Sequence, residues 1–332
     1  MTSRDLLRRV LERDHPARIG LAFPEYNGQP RLNDLLATGL APDPARGEPQ
    51  WQPDGTGAET HRDEWGLLWR RIPGKGSRGE VAEAPIKQWG DLDTYRLPTL
   101  ADPARYEPCA RLRAEHPDQY LLGGLCACAF NMARYLRKLE QYLLDCAAEP
   151  EQVRRLNALV NDLALAQIDL YADVGADGVM FAEDWGTEDR LLVSPRMWED
   201  LFRPGFERLV SRAHQRGLTV WMHSCGCIRD IIPSLHEIGL DLLQLDQPEL
   251  SGLEFLAQFE RLTYWCPVDI QKILPTGNEG LIKSRAREMI RLLGGRGGGF
   301  IGGCYGDNVS LGVDPLWQHW AYEVFVEEGK YA

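Results

Sequence analysis

Positive charge is scarce in this sequence: 37 lysine and arginine residues stand against 49 aspartate and glutamate residues, for a formal net charge of −12 at pH 7. Nucleic acids and anionic membrane surfaces select for basic patches, so this balance argues against both as partners. No apolar run approaches the roughly 20 residues that a membrane span needs. Residues 1–12 are charged and lack the apolar centre of a secretion signal, so we expect a cytoplasmic protein that does not bind membranes.

The sequence also lacks a disulfide framework and a nucleotide-binding glycine loop. Its eight cysteines are scattered along a long chain, several of them inside apolar runs, which favours reduced thiols. No G-x-G-x-x-G motif follows a predicted strand. The glycine-rich run 294–299 precedes its strand, whereas a phosphate-binding loop lies after the strand, so we interpret it as a tight helix-to-strand turn.

Short apolar runs alternate with longer amphipathic stretches over the later two thirds of the chain, which predicts parallel strands joined by helices. The predicted strands are 120–126, 178–183, 218–224, 241–246, 262–268 and 298–303, with 18–23 as an earlier one. The predicted helices are 132–146, 151–174, 195–216, 278–293 and 314–327, with Ser194 and Asp314 as N-caps before Pro195 and Pro315. The pattern fits a closed (β/α)8 barrel or an open doubly wound sheet, and the missing nucleotide loop favours the barrel.

We interpret residues 1–332 as one α/β domain, a (β/α)8 TIM barrel with an N-terminal elaboration. Residues 40–100, approximately, interrupt the alternation and are rich in proline, glycine, tryptophan and charge, so we expect an irregular insertion there. Within it, 65–71 and 80–86 flank the turn 73–76, which predicts a hairpin inserted near the barrel mouth, the end at which the strands finish. The sequence leaves the oligomeric state open, a homo-oligomer included.

Three soft metal ligands stand at predicted strand ends. His223 and Cys225 follow one apolar run, and Cys304 follows another. Thiolate and imidazole are the donors that zinc prefers, and three protein ligands leave the open position of a catalytic zinc site. In a barrel, catalytic groups come from the C-terminal ends of the strands, where Glu183 and Asp184 also stand.

Each of these residues also has a structural interpretation. A single cysteine at a strand end is more often a small buried hydrophobe than a ligand. That interpretation must hold for three residues together here, and the H-x-C spacing places both side chains on one side of a strand end. Cys126 and Cys128 end a strand without a histidine, so core packing is favoured for them. The combination of His223, Cys225 and Cys304 therefore predicts a metal site.

The motifs resemble those of the uroporphyrinogen decarboxylase superfamily. The resemblance rests on Glu183-Asp184-Trp185-Gly186-Thr187, on Leu192-Val193-Ser194-Pro195, and on His223-Ser224-Cys225-Gly226. Gly302-Gly303-Cys304 extends it to the zinc-dependent branch, the methyltransferases that work with corrinoid proteins. The match covers about residues 60–325.

The resemblance implies a barrel whose mouth binds Zn2+ through His223, Cys225 and Cys304, with Glu183 as a fourth, exchangeable ligand. Glu183 and Asp184 are the candidate catalytic residues, Asp184 orienting a ligand or carrying a proton. True decarboxylases hold porphyrinogen carboxylates with an arginine-rich motif after the first strand, whereas 18–23 runs here into an acidic loop. Decarboxylation is therefore a minor alternative.

Two directions of methyl transfer remain open. In the first, a methylated small molecule gives its methyl group to the cobalt of a corrinoid (cobalamin). In the second, a zinc-activated thiolate accepts it. The sequence lacks the D-x-H-x-x-G cobalamin signature, so the corrinoid would sit on a partner protein.

The ten tryptophans favour the first direction, because an indole ring near the mouth could stack on an aryl methyl ether as donor. Trp65 and Trp185 are the predicted substrate-binding tryptophans, with Trp69 near the same mouth. Asp246 and Gln247, at another strand end, are predicted to line the pocket. A non-catalytic zinc-holding binding module is the remaining alternative.

Overall fold

The computed structural model describes residues 1–74, 79–126 and 128–331. Its strands, in chain order, are β1 (Gly20–Ala22), β2 (Leu35–Thr38), β3 (Gln52–Pro53), β4 (Glu59–Arg62), β5 (Leu68–Arg71), β6 (Glu80–Glu83), β7 (Tyr120–Gly124), β8 (Gly178–Ala182), β9 (Thr219–His223), β10 (Leu242–Gln244), β11 (Thr263–Cys266) and β12 (Phe300–Gly303). Its α-helices are α1 (Ser3–Glu12), α2 (Glu107–Glu115), α3 (Ala129–Arg137), α4 (Leu139–Ala148), α5 (Pro150–Asp173), α6 (Pro195–Leu201), α7 (Arg203–Gln215), α8 (Ile232–Glu237), α9 (Leu253–Leu256), α10 (Glu279–Met289), α11 (Asn308–Leu311) and α12 (Pro315–Glu328).

Eight of these strands form a parallel sheet in the order β1-β12-β11-β10-β9-β8-β7-β2. Its two outer strands meet at Asp34, just before β2. The Asp34 N–H donates to the Leu21 carbonyl at 2.8 Å, and the Asp34 carboxylate accepts the Leu21 N–H at 2.8 Å. Arg18 holds the same carboxylate at 2.7 Å. The sheet is thus a nearly closed barrel, and the predicted α/β TIM-barrel fold is confirmed.

Every predicted barrel strand is present, although each is shorter than predicted. The missed strand is β2. It follows β1 without an intervening helix, and only the first of its four residues is buried, so neither the alternation nor an apolar run marks it.

Two of the predicted helices, 132–146 and 195–216, are each divided into two helices in the structure. Lys138, with a left-handed φ of 67°, separates α3 from α4, and Phe202 separates α6 from α7. The break at Lys138 carries no proline or glycine, so the sequence gives no stop signal there. At the second break, Pro204 lies in the first turn of α7 and is a signal that the single predicted helix passed over. The predicted N-caps are confirmed, because the Ser194 side chain accepts the Met197 N–H and the Asp314 side chain accepts the Leu316 N–H.

The N-terminal helix α1 closes one end of the barrel. Its Arg4 N–H donates to the carbonyl of Asp118, two residues before β7, and its Val10 carbonyl accepts the Gly299 N–H just before β12. Leu6, Leu7 and Val10 are buried in one cluster with Trp221 and other strand residues. Both backbone contacts lie at the N-terminal ends of strands, so the opposite end, the mouth, is free for a site.

The predicted hairpin is part of a larger structure. The strands β3, β4, β5 and β6 form an antiparallel sheet in that order, hereafter the inserted sheet. Residues 75 and 76 of the predicted turn lie outside the described residues. A pair between Arg105 and Glu64, at 2.8 Å, ties the insertion to the segment before α2. Within the described part of the chain, no helix is long and apolar enough to cross a membrane.

Candidate metal centre

Asp184, His223 and Cys225 come together at the mouth, where the neighbouring strands β8 and β9 end. Each offers one ligand atom, and the three atoms lie within 4.8 Å of one another. His223 Nε2 lies 3.2 Å from Cys225 Sγ and 3.4 Å from Asp184 Oδ1. The Cys225 N–H donates to the same Oδ1 at 3.1 Å. We call these three residues the metal cluster.

Gln244, the last residue of β10, orients the His223 ring. Its side-chain oxygen accepts the Nδ1–H of His223, and its amide donates to the Asp246 carboxylate at 2.8 Å. A partner on Nδ1 fixes the ring and leaves Nε2 to face Cys225 and Asp184. This is the usual arrangement behind a metal-bound histidine.

The charges of the cluster are those of a cation site. Burial disfavours the imidazolium, yet hydrogen bonds to Asp184 and Cys225 raise the pKa of His223 to about 11. Burial likewise opposes ionisation of Asp184, yet the hydrogen bond from His223 lowers its pKa to about 2. Asp184 and Cys225 thus favour a positive charge at Nε2, and a metal ion bound there would replace the proton. Nitrogen, sulfur and oxygen donors in this arrangement fit Zn2+.

Two glycines let the loops after β8 and β9 touch. Gly226 has a left-handed φ of 79°, and a Cβ there would lie 2.3 Å from the Gly186 carbonyl oxygen. A Cβ on Gly186 would in turn lie 2.4 Å from the Cys227 nitrogen. The Gln247 side chain accepts the Gly226 N–H at 3.0 Å. This contact fixes the backbone on both sides of the metal cluster.

The predicted ligand Glu183 is not in the cluster. Its side chain is fully buried, and its two oxygens accept the N–H groups of Phe130 at 2.9 Å and Asn131 at 2.6 Å, in the first turn of α3. Burial raises its pKa to about 8, against the effect of these two hydrogen bonds. Asp184 is the carboxylate that the structure places beside His223, and Glu183 holds α3 in place.

Cys304 lies at the same mouth, just after β12, but outside the metal cluster. Burial raises its pKa to about 11, with Arg31 lowering it and Asp246 raising it. The charge of Asp246 also raises the pKa of His223. One carboxylate therefore lies near both predicted ligands.

The two predicted substrate-binding tryptophans occupy different surroundings. Trp185 is fully buried and stacks on Phe130, with ring centroids 3.9 Å apart, so it belongs to the core behind the site. Trp65 is 4% exposed and lines a cavity of about 640 Å3 beside the mouth. Asp246 and Gln247 serve to hold Gln244 and Gly226, as described above.

Sequence reasoning missed Gln244, Asn131 and Arg134. Asn131 donates to the Ala182 carbonyl at 2.7 Å and accepts the Asp184 N–H at 3.4 Å. Arg134 lies 3.5 Å from the Asp184 carboxylate. Gln244 lies in the predicted strand 241–246, two residues before Asp246, which is a usable signal, since alternate residues share one side of a strand. Asn131 and Arg134 lie on a helix, where nothing in the sequence distinguishes them.

The fold and the cluster define a class of protein: an α/β barrel with a candidate divalent-metal centre where its strands end. The sequence profile of the family described as uroporphyrinogen decarboxylase (URO-D) matches residues 72–302, more than half of the chain. The chain therefore belongs to the uroporphyrinogen decarboxylase family, which confirms the resemblance at the family level. The match includes the whole metal cluster and ends two residues before Cys304.

A solved structure shows the same fold at low sequence identity. A methyltransferase from Methanosarcina mazei is similar with a TM-score of 0.61 and 17% identity, over 78% of this chain and 74% of that one. A B12-independent methionine synthase from Shewanella sp. W3-18-1 has a TM-score of 0.47 and 10% identity, over 98% of this chain and 85% of that one. Among curated proteins, no sequence matches the chain.

Proposed function

We propose that this protein is a zinc-dependent methyltransferase that moves a methyl group from a methylated small molecule, an aryl methyl ether, to the cobalt of a corrinoid carried by a partner protein. The metal cluster of Asp184, His223 and Cys225 is the observation that carries the proposal. The family supports it, and so does the likeness in fold to a methyltransferase from Methanosarcina mazei.

His223, Cys225 and Cys304 would hold the zinc, with Asp184 rather than Glu183 as the carboxylate near it. The donor set fits, because His223 already presents Nε2 to Cys225 and its other nitrogen is engaged by Gln244. Zinc bound there would supply Lewis-acid chemistry, of the kind that polarises an ether oxygen or lowers the pKa of a thiol.

The chain's own residues do the remaining work. Asp184 accepts the Cys225 N–H and faces His223, so it orients both ligands and offers the group that a substrate would displace. Glu183 would contribute indirectly, by holding α3 in place, because both of its oxygens accept backbone N–H groups of that helix. Asn131 in turn holds the backbone of Asp184. The cavity beside the mouth would receive an apolar substrate, because most of its lining is aromatic or apolar.

Transfer to a thiol acceptor uses the same metal cluster and is the second candidate. Decarboxylation is the third, and family membership is the observation that favours it. Against decarboxylation, the loop after β1 carries Glu25 and a single arginine, Arg31. That guanidinium lies among aromatic rings, 4.4 Å from the Tyr26 centroid, so the loop offers one cation where a porphyrinogen needs several.

Metal analysis of the purified protein tests the metal site. We expect near-stoichiometric zinc in the wild type and its loss in His223→Ala and Cys304→Ser. Cys227→Ser is the matched control, because its sulfur lies in the same loop but faces the Leu250 carbonyl at 3.9 Å. Zinc absent from the wild type, or retained by both ligand variants, contradicts the proposal.

Two reactions then distinguish the chemistries. Cob(I)alamin with 1,2-dimethoxybenzene should give methylcobalamin, whose formation is followed by absorbance, while methylcobalamin with simple thiols should stay unchanged. The reverse result establishes the thiol methyltransferase. Zinc-loaded protein that is silent in both reactions points to the non-catalytic binding module.

A further inference from the structure

The cavity beside the metal cluster lies between the inserted sheet and the barrel, so the insertion supplies one of its walls. Trp69 of β5 and the nearby Trp51 and Trp65 line the insertion side, and Met132 and Tyr135 of α3 line the barrel side. Its volume of about 640 Å3 falls within the usual range of small-molecule sites, roughly 300–1,000 Å3. Most of this lining is aromatic or apolar.

The aromatic wall is held by the insertion's own polar groups. The Trp69 indole N–H donates to the Asp63 carboxylate at 2.7 Å, and the N–H groups of Trp65 and Leu67 donate to Asp63 at 2.9 Å. Trp69 meets Tyr135 edge to face, with ring centroids 5.2 Å apart. Because the indole N–H already has its partner, the tryptophan offers a ligand its ring surface.

Trp51 is held by contacts with its ring rather than by a hydrogen bond. The guanidinium of Arg71 lies 3.9 Å from its ring centroid, and the His61 ring lies 5.7 Å away. Rings that are already ordered lose little conformational entropy when a ligand binds, which raises the affinity per contact.

The cavity adjoins the metal cluster through Asn131. This residue and Ala182 both line the cavity, and the Asn131 amide donates to the Ala182 carbonyl at 2.7 Å. The same side chain accepts the backbone N–H of Asp184. A molecule in the cavity would thus lie against the residue that holds a member of the metal cluster.

The charges of the lining select an uncharged ligand. Among the described residues, the lining includes no lysine or arginine, while it includes the Asp63 carboxylate and the His61 imidazole. An anionic ligand would lose hydration without gaining a lysine or arginine as counter-charge. A neutral planar ring would stack on aromatic faces instead.

We propose that this cavity binds the uncharged aromatic ring of the substrate, so that the insertion, rather than the barrel, selects the substrate. The inference rests on the proposed function for the identity of the reaction. Ring binding itself requires neither zinc nor corrinoid and is measured separately.

Calorimetric titration of the full chain with 1,2-dimethoxybenzene tests the site, with 1,2-dimethoxyethane as the non-aromatic comparison. We expect binding of the aromatic ether and at least tenfold weaker binding of the aliphatic one. Trp69→Leu should weaken aromatic binding about tenfold by removing a stacking surface. Met132→Trp should weaken it to a similar degree by filling the cavity. Trp317→Leu, on α12, is the matched control and should bind like the wild type.

Circular dichroism and thermal melting show whether a variant has lost the site or the whole fold. The two cavity variants change the volume in opposite directions, because Met132→Trp adds side-chain volume and Trp69→Leu removes it. Equal binding of the two ethers, or wild-type affinity in both folded cavity variants, overturns the cavity proposal. Cys225→Ser distinguishes the two proposals, because it should abolish methyl transfer and keep ring binding within about threefold. Ring binding without any turnover in the wild type contradicts the proposed function alone. Turnover with an unchanged KM in Trp69→Leu contradicts the cavity proposal alone.

Discussion

At the scale of single residues, the geometry of the metal cluster depends on one amide. Gln244 accepts the Nδ1–H of His223 and donates to Asp246, so the imidazole cannot turn without breaking a buried contact. We expect Gln244→Leu to weaken zinc binding by about 10- to 100-fold, the usual cost of losing the partner of a metal-bound histidine. Competition with a chromogenic chelator measures this affinity. Gln258→Leu, at an exposed position, is the control. Equal affinity of Gln244→Leu and the wild type would show that the ring is held without this bond.

A second residue-scale prediction concerns pH. The hydrogen bond to Asp241, at 2.8 Å, raises the pKa of His214 against the effect of burial. A raised pKa means that the folded protein holds the proton more tightly than the unfolded chain does. The pair therefore stabilises the fold fully below the unfolded pKa of about 6.5, and this contribution is lost as the pH rises through the folded pKa.

Solvent screens this half-exposed pair, so we expect His214→Gln to cost about 0.5 kcal/mol at pH 6 and less at pH 9. Urea unfolding of both proteins at the two pH values measures the difference. A cost that is equal at pH 6 and pH 9, or larger at pH 9, would show that the ion pair contributes nothing.

The residues of the site could be predicted from the sequence only in part. His223 and Cys225 were found because soft donors at a strand end are rare. Glu183 and Asp184 are consecutive, and successive residues at a strand end point in opposite directions, so the direction of each depends on packing that the sequence does not reveal. The structure turns Glu183 to the first turn of α3 and Asp184 to His223. Asn131 depends on how α3 meets β8, a tertiary contact with no local signature.

At the scale of elements, the contact of Gly186 with Gly226 joins the loops after β8 and β9. An alanine at Gly226 meets two penalties: a left-handed φ of 79°, and a Cβ 2.3 Å from a backbone oxygen that cannot move freely. We expect Gly226→Ala to lower the free energy of unfolding by about 2–3 kcal/mol and to weaken zinc binding as the loops separate. Thermal or urea unfolding and the chelator competition measure the two effects.

Gly217→Ala is the matched control for this substitution. Its φ is 74°, almost the same as that of Gly226, but a Cβ there meets nothing within 4 Å. It should therefore cost about 1 kcal/mol from the backbone alone and leave the zinc affinity unchanged. Similar costs for the two variants would show that the loop contact contributes little.

The elements with a strong apolar signal were the predictable ones. Strands β7 to β12 are mostly buried and stand between amphipathic helices, so their existence follows from hydrophobic pattern. The strand β2 has neither property, and the break at Lys138 has no proline or glycine to mark it. The break at Phe202 was predictable, because Pro204 follows it at the start of α7. In the insertion, β3 is two exposed residues long and gave no signal.

At the scale of the whole molecule, the barrel brings together residues that lie far apart in the sequence. The alternation of strands and helices predicted this, because a closed parallel sheet collects all its C-terminal strand ends at one mouth. The insertion alters the mouth on one side only, where the inserted sheet and α3 line the same cavity. Its position depends on contacts such as Trp69 with Tyr135, which join segments that no sequence periodicity relates.

Zinc binding should therefore stabilise the whole barrel and not only the loops. The proposed ligands follow β9 and β12, which have β10 and β11 between them, so one ion would link separated parts of the sheet. An ion that binds only the folded state adds about 4 kcal/mol at 1,000 times its Kd, which raises Tm by several degrees in a protein of this size. We expect zinc to raise the Tm of the wild type and of Cys227→Ser. It should leave the Tm of Cys304→Ser and His223→Ala unchanged, because both variants are expected to lose the metal. Mg2+ is the control ion, since it prefers oxygen ligands and should leave Tm unchanged. A zinc-dependent rise of equal size in Cys304→Ser would mean that the metal is held at β8 and β9 alone, by Asp184, His223 and Cys225.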